Sequence, residues 1–156
     1  MDPYESRDER ILDVLPKVHL DVDEPQLEVT SLRGVWHVNP NVIWKPEALV
    51  ALESFPAGQT TRYIFWHNEV QFIMDGEATL TYSLPITRFS VEKELHVSKG
   101  DAYVIPVGAD IKFAVGADGP LQKLCVAMPG PARYRPDLMP NSARFPGLGM
   151  REEVQE

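Results

Sequence analysis

The chain has 156 residues, 44% of them hydrophobic and 24% charged, enough apolar material for one domain with its own core and too little length for two. Its 15 Lys and Arg against 23 Asp and Glu give a formal net charge of −8, and the basic residues stand singly, so no phosphate-backbone footprint is present and nucleic acid is excluded as an expected partner. No apolar run approaches the roughly 20 residues of a membrane span, and the acidic start MDPYESRDER lacks the basic flank and apolar centre of a signal peptide, which makes no membrane association and a cytoplasmic location the expectation.

Residues 1–24 carry many charges around one amphipathic stretch, Ile11, Leu12, Val14 and Leu15, ended by Pro16; this predicts a short helical arm. The run LEVTSLRGVWHVNP reads as short strands broken near Gly34, and LVALESFPAGQTT as a strand entering a turn at Pro56-Ala57-Gly58. Seven further strands follow at short intervals: TRYIFW, EVQFIM, ATLTYSL, KELHV, AYVIP, IKFAV and LQKLCVAM. Turn residues separate them, Asp75-Gly76, Lys99-Gly100, Gly108 and Ala117-Asp118-Gly119-Pro120. Such a rhythm, with no helices between strands, predicts an all-β antiparallel sandwich or barrel over residues 25–128. From Pro129 the sequence is Pro-rich and excludes a central strand or long helix; Tyr134, Leu138, Met139 and Phe145 predict a tail over residues 129–156 packed across the barrel, with a disordered end. Cys125 is the only cysteine and lies in an apolar run, which rules out an internal disulfide and reads as a buried thiol.

The segment Gly100-Asp-Ala-Tyr-Val-Ile-Pro106-Val-Gly108 has the form G-x5-P-x-G, and in HNEVQFIMDGEATL Glu69 stands seven positions before Gly76, with Gly58 upstream in a turn. In these features the chain resembles the cupins. The resemblance implies a double-stranded β-helix, or jelly-roll barrel, a homodimer, and a small molecule bound inside. It also implies a metal site of three histidines and one glutamate. Counting back from Glu69 puts Arg62 and Ile64, or Tyr63 and Phe65, at the paired-histidine positions, and counting on from Gly108 puts Ile111 at the third; only Glu69 of the ligand set remains. The metal site is therefore degenerate. If a divalent ion (Fe, Mn, Ni or Zn) is held in another way, His67 and Glu69 are its ligands, with another strand supplying the rest, because residues two apart on a strand are separated by about 6.6 Å.

Parity along EVQFIM puts Glu69, Gln71 and Ile73 on one face and Val70, Phe72 and Met74 on the other. The resemblance places the glutamate's face inside, so the outer face is apolar and calls for a partner, either a terminal segment or a second subunit. Ile111 shares parity with Phe113 and Val115, giving the interior one apolar wall suited to an aromatic body. Arg62, Gln71 and Tyr103 are the candidates for the polar end of a substrate, Arg62 toward a carboxylate or phenolate and Tyr103 through its hydroxyl. Glu69 is the candidate general acid or base with His67 as proton-sharing neighbour, its pKa raised by desolvation, or else it pairs with Arg62 as a buried ion pair. Three functions fit: an enzyme of proton-transfer chemistry (isomerase, cyclase, decarboxylase or lyase) on a small aromatic or carboxylate-bearing substrate; a metal-dependent cupin oxygenase or lyase with His67 and Glu69 as ligands; or a small-molecule binding protein without catalysis.

Overall fold

In the computed structural model, residues 15–20, 27–31, 34–38, 42–65 and 67–130 are described. The helical arm expected near the N-terminus and the tail expected beyond Gly130 lie outside these residues. Eleven strands carry the described chain: β1 Leu27–Ser31, β2 Gly34–Val38, β3 Ile43–Trp44, β4 Leu49–Phe55, β5 Thr60–Ile64, β6 Asn68–Asp75, β7 Glu77–Ser83, β8 Glu92–Ser98, β9 Ala102–Ile105, β10 Asp110–Val115 and β11 Leu121–Met128. Among the described residues one 3₁₀ turn, Pro85–Thr87, is the only helical element. It and the two-residue β3 escaped the sequence reading because neither is long enough to show a period.

All pairings are antiparallel and form two sheets, β1-β2-β4-β11-β6-β9 with β3 also on β4, and β5-β10-β7-β8. From β4 onward the chain passes back and forth between the sheets, and only β7 and β8 follow one another within one sheet. Each crossing needs a tight corner. Gly76 is the corner between β6 and β7: its φ is +81° and a Cβ there would stand 2.3 Å from the Pro120 carbonyl oxygen, so both conformation and space demand glycine. Gly108, φ +86°, is a second such corner, packed against the Pro85 ring.

The period-2 alternation read from the sequence is the fold's main organiser. In β6, Glu69, Gln71 and Ile73 are buried while Asn68, Phe72 and Asp75 are exposed; in β10, Ile111, Phe113 and Val115 are buried. The apolar core lies between the sheets and includes Phe65, Ile73, Leu80, Val97, Ile105 and Phe113. Ile111 and Phe113 are part of this core, so the apolar wall is where parity put it. Among the described residues no helix is long and apolar enough to cross a membrane.

Candidate functional site

Strand register brings a set of polar side chains to one part of the interior. Across the large sheet Cys125 lies opposite Gln71, Gln71 opposite Tyr103, and Lys123 opposite Glu53. All five belong to the inward-facing parity of their strands, and Glu53, His67, Glu69, Gln71 and Lys123 are buried. Buried polar and charged groups are costly unless they satisfy one another. Here hydrogen bonds and one ion pair link them into a chain.

His67 follows β5 and precedes β6. Its Nε2 and Glu69 Oε2 are 2.7 Å apart, and its ring meets Phe65 edge-on at 6.0 Å. Gln71 Nε2 donates to Glu69 Oε1 at 2.6 Å, so both carboxylate oxygens are engaged. The Gln71 carbonyl oxygen accepts from Tyr103 Oη at 2.5 Å and from Lys123 Nζ at 3.1 Å. Lys123 Nζ is 3.7 Å from Glu53 Oε2, which in turn accepts from the Cys125 thiol at 3.4 Å. The ammonium of Lys123 lies over two aromatic rings, with Nζ 4.3 Å from the Phe113 centroid and 4.8 Å from that of Phe55.

The environment drives the two glutamates apart. Burial raises the pKa of Glu53, helped by the negative charge of Glu69 and only partly opposed by Lys123. For Glu69 burial acts upward as well, but the hydrogen bond with His67, the charges of Lys123 and His67 and the Gln71 hydrogen bond outweigh it and hold the carboxyl below its usual range. This reverses the expectation of a raised Glu69: desolvation is present, but donors to the charged form win. Burial also raises Tyr103 above the ordinary phenol and Cys125 above the ordinary thiol, with Glu53 adding to the latter. Burial works against the charge of Lys123, yet the carboxylate charge around it, from Glu53 and Glu69, favours the ammonium.

Of the residues singled out in the sequence, Glu69, His67, Gln71 and Tyr103 come together here, and Phe113 forms the apolar side under Lys123. Ile111 is buried in the adjoining core. Arg62 does not join them. Its side chain is 68% exposed and forks onto Asp110, with Nε 2.8 Å from Oδ1 and Nη2 bonded to Oδ2; register explains this, because Arg62 lies opposite Lys112 on the outward parity of β5 and β10. The ion pair between Arg62 and Glu69 is thereby corrected, and so is the placement of Arg62 at the polar end of an interior ligand. Glu53, Lys123 and Cys125 were missed as site residues. The signal was available: Lys123 shares parity with Leu121, Cys125 and Ala127 on β11, and a charge on the buried parity of a central strand demands partners.

The metal implied by the resemblance does not fit these residues. Arg62 and Ile64 point outward, the latter 60% exposed, whereas Tyr63 and Phe65 pack inside against each other at 4.7 Å, so the shorter of the two spacings is the interior one and offers aromatic rings. Ile111 supplies no donor atom. Both Glu69 oxygens are occupied, Gln71 turns its oxygen to an ammonium, and that ammonium repels a second cation. Among the described residues no group of three or more His, Cys, Asp or Glu is placed to hold a metal ion.

The chain matches no protein-family model and no curated protein sequence. Solved structures match its fold. An RmlC-like cupin family protein with a double-stranded β-helix fold from Methanocaldococcus jannaschii aligns with TM-score 0.56 at 13% identity, over 78% of this chain and 97% of that one. KdgF from Halomonas sp. aligns with TM-score 0.55 at 12% identity, over 73% and 94% of the two chains. The capsular polysaccharide assembling protein CapF from Staphylococcus aureus aligns with TM-score 0.52 at 19% identity over 69% of this chain, which spans only 32% of that larger protein. With its two antiparallel sheets, glycine corners and these structural neighbours, the chain has the double-stranded β-helix fold of the cupins.

Proposed function

We propose that the interior polar group is the acid–base site of a small-molecule enzyme, with Glu69 as the base. The observation that supports this reading is the hydrogen-bonded chain Tyr103–Gln71–Glu69–His67 inside the barrel, in which a carboxylate is kept ionised while a second carboxyl, Glu53, is pushed the other way. Two carboxyl groups whose surroundings separate their affinities for protons are the pattern of paired base and acid. His67 orients the Glu69 carboxylate and shares its proton; Gln71 fixes the other oxygen. The substrate is a small aromatic or carboxylate-bearing molecule whose ring lies toward Phe113, and the reaction is a proton transfer of the isomerase or lyase type.

The test requires no knowledge of the product. Phenylpyruvate, aliphatic 2-oxo acids and aryl ketones are incubated with the protein in D2O, and loss of the proton next to the carbonyl is followed by NMR. Exchange above the buffer rate is expected for at least one compound, and Glu69→Gln lowers it by roughly 10²–10⁴-fold without changing the unfolding transition. Full exchange in the Glu69→Gln protein, or none above buffer in the wild type across the panel, sinks the proposal.

A further inference from the structure

A base held below its usual pKa abstracts a proton from carbon only if the negative charge that results is met by something positive. Among the described residues Lys123 is the one buried lysine or arginine. Its ammonium has three protons and accepts nothing. Gln71 Oε1 takes one of them at 3.1 Å. The nearest carboxylate oxygen, Glu53 Oε2, is at 3.7 Å, too far for a hydrogen bond; the faces of Phe113 and Phe55 lie against the ammonium, and Cys125 and Tyr103 are close enough to be felt electrostatically, but among the described residues Gln71 supplies its one hydrogen-bond acceptor. Rings attract a cation but do not replace an oxygen acceptor. An ammonium 3% exposed thus retains donor capacity, on the same amide that holds the base: Gln71 gives its oxygen to Lys123 and its N–H to Glu69.

We propose that Lys123 is the electrophilic centre of the site, its ammonium binding the oxygen of a small molecule that becomes an enolate or phenolate there, and so doing in this barrel what a metal ion would do. The inference rests on the reading of Glu69 as the base. In the step it describes, the C–H bond beside a carbonyl breaks and its proton goes to Glu69. The C–H electron pair becomes a carbon–carbon double bond, and the carbonyl π pair moves to the oxygen, which takes an N–H of Lys123. Negative charge passes from Glu69 to the ligand oxygen, so the interior gains no net charge. That is why a site already holding two glutamates accommodates an anion at this position.

The probe is 4-nitrophenol, whose phenolate absorbs where the neutral form does not, titrated with the protein in EDTA one pH unit below the free pKa, where about a tenth of the free dye is ionised. The wild type is expected to bind it mostly as phenolate, Lys123→Met to lose at least tenfold of the bound phenolate, and Lys123→Arg to keep part of it. Phenolate binding unchanged in Lys123→Met overturns the proposal. So does a wild type that binds only the neutral dye, binds none, or binds 4-nitroanisole, which cannot ionise, equally well; these outcomes need no variant to fold. A wild type that exchanges substrate protons in D2O but binds no phenolate discards the role of Lys123 and leaves Glu69 as base. Lys123-dependent phenolate binding with exchange unaffected by Glu69→Gln does the reverse.

Discussion

Replacing Lys123 by methionine keeps an unbranched stem against Phe113 and Phe55 and removes only the charge and its hydrogen bonds. What is left behind is Glu53, buried beside Cys125 without the Lys123 ammonium, and a Gln71 oxygen that retains Tyr103 but loses a charged donor. Removing one partner of a buried ion pair costs about 3–5 kcal/mol. At 3.7 Å the contact is loose, which places the cost near neutral pH at the lower end, about 3 kcal/mol. In acid, where Glu53 is protonated in either protein, only the charge-assisted hydrogen bond remains to be lost, about 2 kcal/mol. Adding Glu53→Gln to Lys123→Met removes the orphaned charge and returns about 1–2 kcal/mol, a coupling of the size expected for residues in one network. Urea unfolding followed by tryptophan fluorescence at two pH values reads all of these differences. A loss below about 0.5 kcal/mol, the level of an ordinary surface substitution, would refute the picture of Lys123 as the interior's compensating charge.

The two glutamates give opposite pH signatures. Glu69, lowered in the folded protein from 4.5, contributes stability that is present above its unfolded pKa and disappears as pH falls through the folded value. Glu53, raised from 4.5, contributes stability that is present below its unfolded pKa and is lost as pH rises through its folded one. Glu53→Gln therefore flattens the decline of stability on the neutral side, whereas Glu69→Gln flattens the acid side; identical profiles for the two variants count against the assignment. Gly76→Ala meets both a left-handed backbone and the Pro120 carbonyl, and should cost more than the roughly 1–2 kcal/mol of the conformational penalty alone; a thermal midpoint within 1 °C of wild type, where about 2–4 °C per kcal/mol is expected, contradicts this. On the outer face of the large sheet Val104, Val70, Val126 and Val50 lie in one register row, with Val104 68% and neighbouring Phe72 41% exposed. A face this apolar fits the expected homodimer, so light scattering should give about twice 17.6 kDa, and Val104→Glu should halve it. A monomeric wild type rejects that arrangement.

Most of the barrel was legible because its information is local. Alternation fixed the inward residues of β6 and β10, and LQKLCVAM, read as one strand, is β11 without a residue gained or lost. Positive φ at Gly76, Gly100 and Gly108 is likewise what the turn chemistry demanded. The site was legible only along the strand that carries it. His67, Glu69 and Gln71 are close in sequence, and their mutual bonds follow from two-residue spacing, although His67 precedes the strand. Lys123 and Glu53 are far apart in sequence and meet through the pairing of β4 with β11, which no spacing rule discloses. Arg62 failed for the complementary reason. Two spacings to the paired-histidine positions were open, and only the register of β5 against β10 shows that Arg62 is on the outer parity.

The orientation of Gln71 has a further consequence. A carboxamide conducts hydrogen bonds but not protons, since it has no neutral tautomer that relays them cheaply. Placed with its oxygen toward Lys123 and Tyr103 and its nitrogen toward Glu69, it acts as an insulator between two hydrogen-bonded pairs, His67 with Glu69 on one side and Glu53 with Cys125 on the other. Charge is felt across it while protons are not exchanged through it, so the two glutamates influence each other's protonation without sharing a proton through the amide.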